Sequence, residues 1–114
     1  MPDDGFRRAV AHKASAEQTI IATAVQRPIA VQCIQEPAPV PAWKTKPSWY
    51  LLAEEDRMIN PKAQRFMADR MGAKIRSYGV DHSPMYSEPN LVVDVILDAT
   101  HETITVGAVV NFSE

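Results

Sequence analysis

The chain has 114 residues, of which 46% are hydrophobic and 23% charged, with 12 Lys and Arg against 14 Asp and Glu. A chain of this length buries about two thirds of the surface it exposes when unfolded, enough for one modest core, and folds of about 250 residues are excluded as complete units. A net charge of −2 gives no ground for expecting nucleic acid or an anionic membrane as partner.

The charge is unevenly distributed. Every Lys and Arg lies at or before Arg76, so residues 1–76 carry a net +4 and residues 77–114 a net −6. The asymmetry is read as attraction between two parts of one fold rather than as an acidic interaction tail. The single Cys33 excludes an internal disulfide and a thiolate metal cluster. Its neighbours Ile29, Ala30, Val31 and Ile34 suggest a small buried hydrophobe. Asp3 and Asp4 precede any apolar run and Arg7 and Arg8 interrupt it, so no signal peptide is read, and no stretch reaches the roughly 20 apolar residues of a membrane span. The expectation is a soluble cytoplasmic protein of α/β class without a cofactor.

In chain order, residues 1–36 read as helical. Ser15 and Gln18 form a capping box opening a helix over 16–26, a weaker helix precedes it around 5–13, and a short one follows over 29–35. Residues 37–47 form a proline-rich linker, since Pro37, Pro39 and Pro41 cannot be held in a helix. Ser48 to Ala53 reads as a strand buried on both faces. A helix follows Pro61, with Ala63, Phe66, Met67 and Met71 as its inward stripe and Gly72 ending it in a left-handed conformation. Residues 74–78 read as a second strand, and Ser87-Glu88-Pro89 as the start of a helix with Ser87 at its cap. Leu91, Val92, Val95, Ile96 and Ala99 share a face of that helix, while the Val and Ile content of the segment leaves a strand as the alternative. Residues 48–101 are thus a strand-helix-strand-helix unit whose two strands are parallel through a right-handed crossover. Residues 102–114 form a tail, in which 103–112 read as a further strand or an unpaired segment.

Asp56 and His82 each lie just past the C-terminal end of a predicted strand, the edge at which functional groups collect in open parallel sheets. A carboxylate bonded to one ring nitrogen of a histidine fixes its tautomer and stabilises the imidazolium formed when the other nitrogen takes a proton. Asp56 and His82 are therefore candidates for orienter and general base, while an isolated Asp and His at strand ends are also commonly structural or solvated. His12, His82 and His101 match no metal-ligand spacing, so no metal is expected.

The stretch from Pro41 to Pro61, including Trp43, Pro47-Ser48-Trp49-Tyr50-Leu51-Leu52-Ala53 and Asp56-Arg57-Met58-Ile59, followed by Gln64-Arg65-Phe66-Met67-Ala68 and Asp81-His82-Ser83-Pro84, resembles the C-terminal part of α/β-hydrolase fold proteins of the bacterial esterase-like and haloperoxidase-like kind. The resemblance is strong over 41–98, weaker over 15–40 and absent over 102–114. It implies that Asp56 is the acid and His82 the histidine of a Ser-His-Asp triad, with Glu54 and Glu55 as solvated neighbours of the acid, and that residues 1–36 belong to a helical cap over the acyl pocket. The substrate implied is a small ester or amide.

The family's chain order is serine, acid, histidine, with the serine in a Gly-x-Ser-x-Gly elbow. None of Ser15, Ser48, Ser77, Ser83, Ser87 and Ser113 lies in such a motif, and no pair among Gly5, Gly72, Gly79 and Gly107 flanks a serine. The His-Gly-rich oxyanion segment is missing as well. The expectation is the C-terminal portion of a hydrolase, inactive alone and completed by an N-terminal half. The rival expectation is a non-catalytic module that self-associates, or binds a partner, through an open sheet edge.

Overall fold

The structure, a computed structural model, describes residues 3–110, and the side chains of residues 4–105. Helix α1 (Asp3–Gly5) runs directly into a π-helical stretch, Phe6–Val10. Helix α2 (Ala16–Ala24) begins at the expected capping box: the Ser15 hydroxyl accepts from the Gln18 N–H at 3.1 Å, and the Gln18 side chain accepts from the Ser15 N–H at 2.8 Å. Phe6, Ala11, Ala14 and Ala22 bury together, with Val10 packed against them.

Helix α3 (Val31–Gln35) has no buried residue, and Cys33 is exposed. The expected burial of Cys33 is therefore corrected. Apolar neighbours in sequence form a buried cluster only where a second surface covers them, and Ile29, Val31 and Ile34 are themselves 59–71% exposed. The proline-rich residues that follow lead through a 3-10 turn, Ala42–Lys44, into the sheet.

Strands β1 (Trp49–Ala53) and β2 (Lys74–Tyr78) pair in parallel, with Trp49 opposite Lys74 and Ala53 opposite Tyr78. Burial along β1 is complete only at Leu52 and Ala53, its first three residues being half-buried. Helix α4 (Pro61–Arg70) makes the crossover. Asn60 caps it by accepting from the Lys62 N–H at 2.9 Å, Pro61 occupies the first turn, and Gly72 follows at φ +60° as the left-handed terminator.

The inward face of α4 is not the expected one. Gln64 and Ala68 are buried and Met71 half-buried, whereas Ala63, Phe66 and Met67 face outward, Phe66 at 66% exposure. Spacing of three and four residues selects either stripe, and packing against β1 selects the one carrying a glutamine.

Helix α5 (Pro84–Ser87) precedes the long helix α6 (Pro89–Val110). Ser87 ends α5 instead of capping α6; its hydroxyl donates to Asp81 Oδ1 at 3.3 Å. Leu91, Val92, Val95 and Ala99 are half-buried along α6, which packs on β1, while Ile96 is 58% exposed. The strand considered for residues 103–112 is not formed as far as Val110, because α6 continues through those positions. The Thr100, Thr103 and Thr105 hydroxyls donate to the carbonyls of Ile96, Ala99 and His101 at 2.7–2.8 Å, an arrangement by which β-branched threonines are accommodated in a helix. Residues 111–114 lie outside the described residues. Lys74 pairs with Glu102 and Arg76 with Asp98, so bases on β2 meet acids of the negatively charged part on α6.

Candidate active site

The loops that follow β1 and β2 leave the same end of the sheet and are tied together by main-chain bonds. The Glu54 N–H donates to the Tyr78 carbonyl at 2.9 Å and the Glu55 N–H to the Val80 carbonyl at 3.1 Å. This continuation of the ladder holds Asp56 and His82 on neighbouring loops.

The side chains of Asp56 and His82 meet: His82 Nδ1 lies 2.9 Å from Asp56 Oδ2. The Asp56 side chain is 4% exposed and that of His82 33%. The other carboxylate oxygen, Oδ1, accepts from the N–H groups of Met58 at 2.7 Å and Ile59 at 2.9 Å. Burial pushes the Asp56 pKa up, but the hydrogen bond to His82, those from the Ile59 and Met58 N–H groups and the attraction of the imidazole outweigh it, leaving the carboxyl below its ordinary value. Tyr50, on β1, is held above the usual phenol value by burial and by the charge of Asp56.

The two neighbouring carboxylates are engaged elsewhere. Glu54 accepts from the Ser77 hydroxyl at 2.6 Å, and Glu55 from Lys13 Nζ at 2.6 Å. Among the described residues His82 Nε2 has no hydrogen-bond partner, so an imidazole anchored at Nδ1 offers a partly exposed nitrogen that can accept a proton.

Gln64, not among the residues singled out from sequence, completes the surroundings of Asp56. Its Nε2 donates to Asp56 Oδ2 at 2.9 Å and to the Ile59 carbonyl at 3.0 Å, and its Oε1 accepts from the Ala53 N–H at 3.0 Å. Counting helical turns from the Asn60-Pro61 start would have placed 64, 68 and 71 on one face, but an apolar-only criterion passes over a glutamine.

A second cluster fixes the chain on both sides of His82. Asp81 is fully buried; its Oδ1 accepts from the Ser83 N–H at 3.0 Å and its Oδ2 from the Lys13 N–H at 2.7 Å. Lys13 Nζ also donates to the Gly79 carbonyl at 2.5 Å, so the N-terminal segment is latched to the loop that carries the histidine. Gln18 Nε2 adds a bond to the Tyr86 carbonyl at 2.7 Å.

Residues 1–95 match the sequence model of the alpha/beta hydrolase family, so the similarity reaches through the N-terminal helices as well as the sheet. No curated protein matches the chain. The match spans most of the sequence and contains the parallel strand-helix-strand unit together with the latched segment before it: the chain belongs to the alpha/beta hydrolase family.

Proposed function

We propose that Asp56 and His82 are the acid and the general base of a Ser-His-Asp triad that hydrolyses a small ester or amide, with the serine contributed from outside these 114 residues. The observation that carries this reading is the 2.9 Å contact between His82 Nδ1 and Asp56 Oδ2, made by an imidazole that is 33% exposed and whose Nε2 has no hydrogen-bond partner among the described residues. His82 would take the proton of the serine as its oxygen attacks the acyl carbon, and return it to the leaving group; Asp56 stabilises the intervening imidazolium. Ser83, the serine nearest His82 in sequence, is 5% exposed with its N–H tied to Asp81, a poor position for a nucleophile. The chain works in the cytoplasm on this reading, where an exposed Cys33 stays reduced.

A second reading is favoured by the free edge of β1 and by Ile20, Ile21, Val25, Ile29, Val31 and Ile34, all at least 57% exposed: the chain is a non-catalytic module that associates with its own copies. One experiment separates the two. The chain is assayed with a chromogenic short-chain ester, alone and after being joined to, or mixed with, the polypeptide encoded immediately upstream. Background turnover alone, activity in the combination and its loss in His82→Ala support the triad reading. Turnover by the chain alone that His82→Ala abolishes would place the nucleophile within the 114 residues, and an upstream region without a Gly-x-Ser-x-Gly segment or restored activity would leave the associating module.

A further inference from the structure

We infer that Gln64 is a positioning residue of the Asp56–His82 pair: its side-chain amide holds the carboxylate in the orientation that keeps the histidine proton on Nδ1. The inference rests on the reading of that pair as acid and base. Three features of the contact set carry it. Gln64 is 4% exposed, and its Nε2 donates to Oδ2, the same oxygen that meets His82 Nδ1. Oδ1 is already held by two main-chain N–H groups, so with Gln64 the carboxylate is gripped at both ends without help from the histidine. A carboxylate so gripped cannot rotate Oδ2 away from the imidazole when the imidazole is neutral and its attraction weakest.

The same amide ties together the segment that delivers Asp56. Its oxygen accepts from the N–H of Ala53, the last residue of β1, while its nitrogen, besides Asp56 Oδ2, donates to the Ile59 carbonyl at 3.0 Å, with the Ala53 carbonyl at 3.3 Å sharing one of its two protons. Both ends of the loop carrying Asp56 are therefore pinned to one side chain on α4. The amide orientation is determined as well, since a flipped group would turn its oxygen toward a carboxylate and two carbonyls and its NH₂ toward the Ala53 N–H. Glutamate, of nearly the same volume, would set a second carboxylate against Asp56, and an apolar side chain would leave Oδ2 with the histidine alone. Beyond Gln64, the groups facing Asp56 are His82 after β2, the N–H groups of its own loop, and Tyr50 on β1, whose pKa is raised in part by the Asp56 charge.

The test reads the histidine tautomer directly and needs no turnover. The full chain, labelled with ¹⁵N in histidine and glutamine, is examined by long-range ¹H–¹⁵N spectra at about pH 8.5, where an ordinary imidazole is neutral. In the natural chain His82 should carry its proton on Nδ1, and Asp56→Asn should abolish that preference. In Gln64→Met the ratio of Nδ1–H to Nε2–H should fall about tenfold or more, the loss of one charge-assisted hydrogen bond's worth of orientation, and in Gln64→Glu at least as far. A ratio unchanged in folded Gln64→Met overturns the role of Gln64 while leaving the pair intact. A natural chain lacking the Nδ1–H form overturns the acid-base reading itself, so the two failures are distinct. Should Gln64→Met not fold, the natural chain decides: the Gln64 Nε2 protons should exchange slowly with solvent and shift in Asp56→Asn, and freely exchanging protons overturn the proposal.

Discussion

Asp56 couples the candidate chemistry to acid stability. Its carboxyl is pushed up by burial yet held below its ordinary value by the hydrogen bond to His82 and those from Ile59 and Met58. The folded state thus binds the Asp56 proton less readily than the unfolded chain. The resulting stabilisation is fully present above the ordinary carboxylate pKa of about 3.9 and is lost as the pH falls through the lower folded-state value. Asp56→Asn should flatten this acid limb, visible as a smaller difference between urea midpoints at pH 6 and pH 3; an unaltered difference would contradict the assignment. If the triad proposal holds, the same substitution in the chain combined with its upstream polypeptide should lower kcat by about 10⁴-fold, measured by ester turnover, because the imidazole then favours the wrong tautomer. Asp81 carries a structural load instead. Asp81→Ala strips acceptors from Lys13 N–H, Ser83 N–H and the Ser87 hydroxyl and should cost about 2–3 kcal/mol in urea unfolding, more than an exposed Asp such as Asp94 replaced in the same way.

The helices and strands follow local signals where those signals are stereochemical. Gly72 sits at φ +60° with open space where a Cβ would be, so Gly72→Ala meets no clash and its cost is that of the backbone alone. That cost should be about 1 kcal/mol, read from denaturant midpoints, and a neutral result would mean that α4 ends differently. Pro61, the Asn60 cap and the Ser15–Gln18 box act in the same way, through bonds within four residues of each other. Hydrophobicity alone is a weaker guide at this scale. Phe66 and Met67 on α4 resemble core residues in sequence, yet they are 66% and 37% exposed. Residues 103–110 have the threonine and valine content of a strand, yet they prolong α6, where a lone tail strand would have had no ladder to join and the helix satisfies each N–H locally.

Across the whole molecule the surface is large for the length of the chain. The accessible surface is 8610 Å² and the radius of gyration 17.3 Å. A compact monomer of this length has about 6,200 Å² and about 13 Å. Among the described residues, five of the eight buried apolar residues are alanines and the largest fully buried side chain is Asp81, so the described core is thin for the surface it supports. On either reading proposed for its function the chain by itself should sediment or scatter as an assembly, with an unfolding midpoint that rises with protein concentration, and on the incomplete-hydrolase reading it should become a single discrete species when the upstream polypeptide is supplied. A concentration-independent monomer with a sharp transition would count against both the incomplete-hydrolase and the associating-module readings.

The two parallel strands, the crossover helix and the placement of Asp56 and His82 past one sheet edge were legible in the sequence, because strand length and turn residues are set by short-range sterics. Tertiary structure decided which of three consecutive acids reaches the histidine: Glu54 turns to Ser77, Glu55 to Lys13 and Asp56 to His82. It also decided that a glutamine, rather than the Phe and Met stripe, faces β1, and that Cys33 lies open. The first two depend on partners brought within hydrogen-bonding or packing distance by the pairing of β1 with β2 and the latch of Lys13 on Asp81, 68 residues away, and the third on the lack of a surface covering α3 among the described residues; the spacing of residues along the chain carries no record of those distances.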